Sequence, residues 1–375
     1  MPVPTVGVIG GGQLARMMVP AAIALGVEIR VLAETEGSSS RIAATAVGDY
    51  RDVETVLTFA REVDVVTFDH EHVPQEVLRA MTAEGIAVHP GPDALIAAQD
   101  KLRMRELLAQ LGAPLPEWAA VSSQDELQAF IDDHGGSAIL KTPRGGYDGK
   151  GVRVVHGGQE GADWFEQFDQ LLVEELVDFR RELSQLAARR PSGEFKTWTV
   201  AETVQRDGVC NEVYAPAPVA TPRMREVAEQ IAVQVAEGLG ITGTFAVELF
   251  ETADDRLLIN ELAMRPHNSG HWTIDGSVTS QFEQHLRAVL DLPLGNTEPL
   301  AKHAVMVNIL GGPQHEAITD RFAKAWKSHP AVKLHTYGKS ARPGRKVGHV
   351  TMIGDELDEV VYQARAAATA FDDEK

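Results

Sequence analysis

The most informative segment of the sequence reads KTPRGGYDGKG, from Lys141 to Gly151, and lies between two short apolar runs, Ala138–Lys141 and Val152–Val155. The runs predict two antiparallel strands. A glycine-rich loop between such strands can fold over triphosphate oxygens, because glycine exposes backbone N–H groups and permits close approach. Lys141 ends the incoming strand and can hold phosphate charge. The loop is not a Walker loop, since no Gly-Lys-Ser/Thr opens a helix here; a flexible hairpin is the alternative.

A second feature is the acidic end of the next predicted strand, Leu171–Glu175, which continues into Leu176 and Val177. A strand that ends in Glu174 and Glu175 and turns through apolar residues suits an adenine pocket. There, backbone groups contact the base and a carboxylate holds the ribose hydroxyls. Glu182 is a second candidate for the ribose. Paired surface acids are common, so this feature has meaning only together with the glycine loop.

A third feature is a predicted hairpin with acids on both strands. Glu248 lies in Thr244–Phe250, while Asn260 and Glu261 end Leu257–Glu261. The short turn places Glu248 opposite Asn260 or Glu261, depending on register. Facing carboxylates repel each other unless a cation or proton lies between them, and oxygen ligands favour Mg²⁺ or Mn²⁺ over zinc. Because adjacent strand residues face opposite sides, Asn260 and Glu261 share a metal only if the strand ends or twists there.

The loop that follows this hairpin reads RPHNSGHW, from Arg265 to Trp272. Its two histidines, His267 and His271, have the spacing of a helical metal pair, but Ser269 and Gly270 disfavour a helix. We interpret the segment as a polar substrate loop beside the carboxylates. Its arginine and amides can bind an oxyanion.

The N-terminal segment GGGQLA, from Gly10 to Ala15, follows a predicted strand and opens a helix, and Glu34 ends the next strand. This is the dinucleotide fingerprint, so an NAD(P)-dependent oxidoreductase is a rival hypothesis. The alternative is a phosphate-sized anion site of any kind. Further on, DHEH, from Asp69 to His72, follows the strand Val63–Phe68, where a carboxylate can bind a ribose diol or cap the next helix.

Composition restricts the function classes. The chain has 375 residues and a formal net charge of −19, which opposes binding to nucleic acid. We find neither the apolar run of about 18 residues that a membrane helix needs nor a signal peptide. The single cysteine, Cys210, excludes an internal disulfide, and we predict a reduced, cytoplasmic protein. Four cations between Lys339 and Lys346 predict either an anion site or a solvated loop.

The order of elements predicts an α/β fold. Strands and helices alternate from residue 5 to 90, which indicates a parallel sheet; a β-rich antiparallel middle and a small mixed C-terminal unit follow. Taken together, these motifs closely resemble the ATP-grasp enzymes, and most specifically the 5-(carboxyamino)imidazole ribonucleotide synthases. The most telling matches are Asn260-Glu261, the loop Arg265–Trp272, and the segments Tyr337–Lys339 and Arg342–His349.

The resemblance implies an ATP-grasp fold with three parts: a Rossmann-like domain at residues 1–93, an ATP-grasp domain at 94–300 with a lid at about 120–177, and a C-terminal α+β domain at 301–375. It also implies a homodimer and an ATP- and bicarbonate-dependent carboxylation of 5-aminoimidazole ribonucleotide in purine biosynthesis. The product would form through carboxyphosphate. Another purine-pathway ATP-grasp ligase, such as a formate-using transformylase, or a nucleotide sensor without catalysis, would share many of these residues.

The resemblance assigns roles to individual residues. The implied ATP contacts are Lys101, Lys141, Gly146, Tyr147, Asp148, Gly149, Lys150, Gly151, Glu174, Glu175, Leu176, Val177, Glu182, Gln205, Asn260 and Glu261. The implied substrate contacts are Gln13, Leu14, Glu71, Tyr147, Lys150, Lys339, Arg345 and Lys346, the last three holding the phosphate. Mg²⁺ would bind Glu248 and Glu261. The implied catalytic residues are Asp148, Arg265, His267, Asn268 and Lys339. Arg265, His267 and Asn268 would hold bicarbonate, and Asp148 would steer the substrate amine or accept its proton.

Several positions depart from the family pattern. Lys101 and Lys150 stand where many relatives carry arginine, which keeps the charge but loses the planar fork. Gln205 stands where a histidine is common. Asp69 is shorter than the usual glutamate, so we expect Glu71 to contact the substrate. Ala263 occupies the position of a common metal-site asparagine, which leaves Asn260 as the substitute.

Overall fold

Four parallel strands form the N-terminal sheet of the computed structural model, which describes residues 3–146 and 150–372. The elements are β1 (Thr5–Ile9), α1 (Gln13–Leu25), β2 (Glu28–Ala33), β3 (Ala44–Val47), α2 (Val53–Ala60), β4 (Val65–Phe68) and α3 (Gln75–Ala83). The strand order is β3-β2-β1-β4. The inner strands β1 and β4 are largely buried and mostly apolar because helices and neighbouring elements cover both faces, whereas β2 begins with the exposed Glu28.

The apolar run at residues 86–88 predicts a strand, but the structure has only a single bridge there, between Val66 and Val88. Strand β3 was not predicted. The apolar side of α1 packs with Phe282 and Leu286 in one buried cluster, so the N-terminal sheet is joined to the centre of the molecule through apolar contact.

The sequence pattern predicts one helix over residues 94–111, but the structure has two helices there, α4 (Pro92–Gln99) and α5 (Lys101–Gln110). Asp100 separates them in an extended conformation, with φ −139° and ψ 113°. Its carboxylate accepts hydrogen bonds from the backbone N–H groups of Leu102 and Arg103, which is the usual action of an aspartate N-cap. The break turns α5 so that its first residue, Lys101, reaches the central sheet.

A four-stranded antiparallel sheet carries the glycine loop. Its elements are β5 (Trp118–Val121), α6 (Gln124–Asp133), β6 (Ala138–Lys141), β7 (Val152–Val155), α7 (Ala162–Phe165) and β8 (Leu171–Glu175). The strand order is β5-β8-β6-β7. Strands β6, β7 and β8 have the predicted limits, whereas β5 and α6 were not predicted. A separate apolar cluster fills the space under this sheet, so it forms its own small core.

The rest of the chain contains the central sheet and the helices that accompany it. Its elements are β9 (Phe179–Arg189), β10 (Phe195–Thr197), β11 (Ala201–Arg206), β12 (Val209–Ala215), α8 (Pro222–Gly238), β13 (Gly243–Thr252), β14 (Leu257–Ala263), α9 (Thr273–Gly276), α10 (Gln281–Val289), β15 (His303–Leu310), α11 (Phe322–Ser328), β16 (Lys333–Thr336), β17 (Lys346–Gly354) and α12 (Leu357–Ala368). The strand order is β14-β13-β9-β11-β12-β15-β17-β16, and β10 pairs with β9.

The C-terminal segment is continuous with this sheet, because β15 pairs with β12. The sequence pattern predicts one strand over residues 196–204, which the structure interrupts between β10 and β11. It also predicts a strand that begins at His349, whereas β17 begins earlier, at Lys346. The α/β class is confirmed. Within the described part of the chain, no helix is both long enough and apolar enough for a membrane crossing.

Candidate active site

Glu248 of β13 and Glu261 of β14 are direct partners across the hairpin. The register shifts immediately beyond this pair, because Leu249 is the partner of Ile259 and Asn260 is an extra residue on β14. A bulge of this kind sets two residues of one strand against a single residue of the other and twists the strand locally. The bulge removes the strict alternation that would separate Asn260 from Glu261.

Each carboxylate of this pair has a basic partner. Nε2 of His267 lies 3.1 Å from Oε1 of Glu248, and Nζ of Lys101 lies 2.9 Å from Oε1 of Glu261. Burial opposes the charge of Glu248, but the hydrogen bond and charge of His267 and the charges of Lys346 and Arg265 together lower the pKa of Glu248. The described residues contain no cluster of three or more histidine, cysteine or acidic side chains suited to a metal. Glu248, Glu261 and the Asn260 amide offer oxygen donors, and such donors suit Mg²⁺ better than zinc.

Lys141 joins the glycine-loop sheet to this hairpin. Its Nζ lies 2.7 Å from Oε2 of Glu174 and donates to Oδ1 of Asn260 at 3.2 Å. Burial opposes the charge of Glu174, but the two cations beside it, Arg105 and Lys141, lower its pKa. The structure therefore brings together Lys141, Glu174 and Asn260, which we had predicted as ATP contacts from three distant motifs.

The structure leaves no room for a side chain at Gly146 and Gly151, the two glycines at the described ends of the glycine loop. The backbone N–H of Thr142 donates to the carbonyl of Gly151 at 3.0 Å, closing the hairpin. Gly151 has φ +70°, and a Cβ there would lie 2.4 Å from Oγ1 of Thr142; a Cβ at Gly146 would lie 2.5 Å from the Lys150 carbonyl oxygen. The predicted roles of Tyr147, Asp148 and Gly149 fall outside the described residues.

The predicted adenine and ribose residues lie beside the hairpin. Glu175 has a structural contact, because its Oε1 accepts from the backbone N–H of Glu117 at 2.9 Å; Leu176 is exposed and Val177 is half-buried. Burial, together with the charge of Glu248, raises the pKa of Glu182 to about 7, and a hydrogen bond from Gln205 acts in the opposite direction. Gln205 therefore contacts the carboxylate that we had predicted for the ribose.

The acids of the segment Asp69–His72 have different partners. Oε2 of Glu71 lies 2.7 Å from Nε of Arg265, and this arginine lowers the pKa of Glu71 against the effect of burial. Asp69 instead accepts from the N–H of Ala15 at 2.8 Å, at the start of α1. Glu71 faces the hairpin, whereas Asp69 caps a helix.

The same contacts weaken the oxidoreductase hypothesis. The N–H of Gly11 donates to Oε2 of Glu34 at 3.3 Å, and Asp69 takes the N–H of Ala15. A Cβ at Gly12 would lie 1.8 Å from Oδ2 of Asp69. Two carboxylates of the chain thus occupy the N–H groups with which a dinucleotide loop binds pyrophosphate, and the glycines make room for them.

His267 is held from two sides. Its Nδ1 lies 2.8 Å from Oγ of Ser269, which lies 2.7 Å from Oγ of Ser184. The side chain of Gln281 accepts from the N–H of His267 and donates to its carbonyl, both at 2.8 Å. Ser184 and Gln281 were not predicted, and no motif contains Gln281. His271 is completely buried, and its Nδ1 also contacts Gln281, at 2.8 Å.

The side chain of Asn268 connects its loop to the C-terminal strands. Its side chain is buried and exchanges hydrogen bonds with the amide of Asn308 on β15, at 2.7 and 3.1 Å. These contacts direct the amide toward the C-terminal strands. The contact fixes the loop to the central sheet, and the catalytic role that the resemblance implies for Asn268 stays a prediction.

The predicted substrate residues come from both ends of the chain. Nζ of Lys339 donates to Oε1 of Gln13 at 2.7 Å. Leu14 is buried in the apolar cluster of α1, and its predicted substrate contact stays a prediction. Nη1 of Arg345 donates to Oγ of Ser340 at 3.1 Å, and Lys346 begins β17.

Side chains of the N-terminal domain also donate hydrogen bonds to the segment before Lys339. Three successive carbonyls, of residues 336 to 338, accept from Nε of Arg16 at 3.2 Å, from Oγ of Ser39 and from Nη1 of Arg41 at 3.3 Å. Sequence reasoning missed these three residues, because they lie in no motif and their partners are about 300 positions away. The contacts fix the backbone that carries Lys339.

Three protein families match successive parts of the chain. The ribonucleotide synthetase preATP-grasp domain matches residues 3–99, the ATP-grasp domain matches residues 106–282, and the phosphoribosylaminoimidazole carboxylase C-terminal domain matches residues 304–363. Together with the fold and the carboxylate hairpin, these matches define an ATP-grasp ligase.

Whole-chain relatives specify the family further. The N5-carboxyaminoimidazole ribonucleotide synthase of Mycobacterium tuberculosis is 46% identical over 373 residues, covering 97% of this chain and 87% of the relative. The carboxyaminoimidazole ribonucleotide synthase of Aspergillus clavatus complexed with ATP has a TM-score of 0.90 and 32% identity, covering 98% of each chain. The same synthase with ADP and 5-aminoimidazole ribonucleotide has a TM-score of 0.88 and 31% identity, again over 98% of each chain. The chain belongs to the N5-carboxyaminoimidazole ribonucleotide synthases, which confirms the predicted resemblance.

Proposed function

We propose that this site uses ATP to phosphorylate bicarbonate and transfers the carboxyl group to the exocyclic amine of 5-aminoimidazole ribonucleotide. The products are N5-carboxyaminoimidazole ribonucleotide, ADP and phosphate. The observation that carries the proposal is the pairing of Glu248 with Glu261, with Lys141 beside the bulge and His267 on Glu248. This arrangement supports a cation site at the carboxylate pair, with Lys141 binding phosphate on one side and the loop that carries His267 binding bicarbonate on the other.

ATP would lie between the glycine-loop sheet and β14. Lys141 supplies charge for the phosphates, and the glycine loop supplies backbone N–H groups. The strand end at Glu174 lies beside Lys141, which supports an adenine pocket there. Glu182 and Gln205 are in contact on neighbouring strands, which supports a ribose site formed by the pair.

Mg²⁺ would be held by Glu248 and Glu261, with Asn260 as a further oxygen donor. The bound ion would neutralise charge on the transferring phosphoryl group. Lys101 and His267 now balance the two carboxylates, so we expect both bases to be released toward ATP and bicarbonate when the ion binds. Mn²⁺ would satisfy the same donors.

Bicarbonate would bind at Arg265 and His267. A bicarbonate oxygen attacks the γ-phosphorus, the bond to the β–γ bridging oxygen breaks, and ADP leaves. Arg265 holds the anion, and its partner Glu71 fixes the guanidinium. Catalysis here consists of positioning and charge stabilisation, because phosphoryl transfer needs little covalent help from the protein.

The carboxyphosphate, or CO₂ released from it, is then captured by the substrate amine. In direct attack on carboxyphosphate, the new N–C bond forms as the C–O bond to phosphate breaks; in attack on CO₂, that bond has already broken and a C=O π bond opens instead. In both routes the amine loses a proton. Asp148 is the proposed acceptor of that proton. Lys339, with Gln13 beside it, would face the reacting groups, and Arg345 and Lys346 would hold the ribonucleotide phosphate. The lid formed by the glycine-loop sheet would exclude water.

ADP release tests the proposal. We expect purified protein with ATP and Mg²⁺ to release ADP at a rate that rises strongly when both bicarbonate and 5-aminoimidazole ribonucleotide are added, and to give one ADP per carboxylated product. ADP release that ignores the ribonucleotide, or that needs formate or an amino acid instead, contradicts it. A cytoplasmic homodimer is part of the same proposal, and sedimentation analysis measures the oligomeric state.

A further inference from the structure

Arg105 is a completely buried arginine in the middle of α5. Its Nε donates to Oε1 of Glu174, and its Nη2 donates to the backbone carbonyl of Asn260 at 2.8 Å. Within the described residues, its Nη1 is buried and has no hydrogen-bond partner. An unsatisfied buried donor costs stability, and an apolar side chain would fill a purely structural position at lower cost. A charged side chain at this buried position therefore points to a role beyond packing.

The two partners of Arg105 belong to different sheets. Glu174 lies on β8 of the glycine-loop sheet, whereas Asn260 is the bulge residue of β14 in the central sheet. Lys101, four residues earlier on the same helix, pairs with the next residue of that strand, Glu261. Residues with this spacing lie on one face of a helix. Helix α5 therefore directs two cations at two successive residues of the carboxylate strand.

Arg105 and Lys141 also pair with the two oxygens of the same carboxylate. Arg105 takes Oε1 of Glu174 and Lys141 takes Oε2. An ammonium group has three donors, and Glu174 and Asn260 use two of those on Lys141. Without the guanidinium, the whole negative charge of Glu174 would fall on Lys141, which would then be drawn away from a phosphate oxygen.

We propose that Arg105 is a positioning residue for ATP: it holds Glu174 and the Asn260 backbone so that Lys141 is presented to the phosphates. The inference deepens the proposed function and rests on its ATP site. Arg105 does not touch the nucleotide itself. It locks the glycine-loop sheet to the carboxylate strand at the point where the nucleotide passes between them.

The test compares Arg105→Met and Arg105→Lys in the full chain, with Arg103→Met as the matched control. Arg103 is an exposed arginine on the same helix and pairs with Glu106. Binding of ATP with Mg²⁺ is measured by calorimetric titration, and the KM for each substrate is measured by ADP release. We expect Arg105→Met to weaken ATP binding about tenfold or more, the effect of one lost charge-assisted contact.

Arg105→Lys should retain part of that affinity, because it keeps one cation for Glu174, and Arg103→Met should match the wild type. The KM for 5-aminoimidazole ribonucleotide should stay within about twofold in all three variants, since the lost contact is charge-assisted and local. A general loss of structure would raise both KM values together and would overturn the inference. So would ATP binding that is unchanged in both Arg105 variants.

If Arg105→Met does not fold, as judged by circular dichroism, Arg105→Lys decides: weaker ATP binding with an unchanged ribonucleotide KM supports the inference, and unchanged ATP binding contradicts it. ATP titration needs no turnover. A wild-type protein that binds ATP but does not respond to bicarbonate and the ribonucleotide would contradict the proposed function while leaving this test intact.

Discussion

Glu71 and Arg265 form an ion pair, with Oε2 of the glutamate 2.7 Å from Nε of the arginine. Glu71 follows the last strand of the N-terminal sheet, and Arg265 follows the carboxylate strand of the central sheet. The pair therefore joins the two domains at the point where the ribonucleotide and bicarbonate would meet. The pair also keeps the planar guanidinium of Arg265 in one orientation. A lysine ammonium group has no such planar fork to orient.

Arg265→Lys should lower kcat by about a hundredfold while leaving ATP binding unchanged, because lysine keeps the charge but loses the fork that orients an oxyanion. Steady-state ADP release and ATP titration measure the two effects. Arg256→Lys is the control, since Arg256 is an exposed arginine in the turn of the same hairpin. Equal activity in the two variants would remove Arg265 from the bicarbonate site.

Glu261→Gln should lower ATP cleavage by about a hundredfold or more, because it removes half of the carboxylate pair that would hold the divalent ion. Asp254→Asn, in the exposed turn between the same strands, should be near wild type. Magnesium titration of both variants in the ADP-release assay distinguishes them. A Glu261→Gln protein that needs no more Mg²⁺ than the control would show that this carboxylate is not a ligand.

Arg345→Ala should mainly raise the KM for 5-aminoimidazole ribonucleotide, by about tenfold, because one cation facing the phosphate is lost. Arg342→Ala is the control in the same loop. The side chain of Arg342 is exposed, and the contact of this residue with the carbonyl of Gly311 is made by its backbone N–H, which alanine keeps. If Arg342→Ala has the larger effect on KM, the phosphate lies elsewhere in the loop.

Stability should change with pH at Glu182. Burial and the charge of Glu248 raise the pKa of Glu182 to about 7, above its ordinary value of 4.5. The folded protein therefore holds this proton more tightly than the unfolded chain, and ionisation destabilises the fold as the pH rises through 7. We expect Glu182→Gln to raise the free energy of unfolding by about 1 kcal/mol at pH 8, an amount reduced by solvent screening, and to leave it unchanged near pH 4.

Urea unfolding at the two pH values measures this difference. Glu229→Gln, on the exposed side of α8, serves as the control and should show no such dependence on pH. A stabilisation of Glu182→Gln that is equal at both pH values would show that the effect does not come from the titration of Glu182.

The sequence alone predicted the parts of the site that local patterns define. Lys141 ends a strand whose limits follow from the glycine loop, and Glu248 and Glu261 lie on a hairpin with a short turn. Such features depend on residues close in sequence. For Asn260, the sequence predicted only that the strand must end or twist there if Asn260 and Glu261 share a metal. It did not predict the bulge itself, because a one-residue shift in register depends on the neighbouring strands rather than on the hairpin.

Other parts depend on contacts between distant segments. Arg105 lies in a stretch that reads as one long helix, and only the break at Asp100 and the approach of β8 and β14 give it buried partners. The contact of Ser39 with the Tyr337 carbonyl is similar, since it joins residues nearly 300 positions apart. Polar residues in loops have many possible partners, and the sequence does not select among them.

The central claim is that this site makes carboxyphosphate by transferring the γ-phosphoryl group of ATP to bicarbonate. Bicarbonate labelled with ¹⁸O tests it most directly, with the released phosphate analysed by mass spectrometry in the presence of 5-aminoimidazole ribonucleotide. The account predicts that each phosphate carries one oxygen from bicarbonate. Phosphate without bicarbonate oxygen, formed while the ribonucleotide is carboxylated, would contradict it.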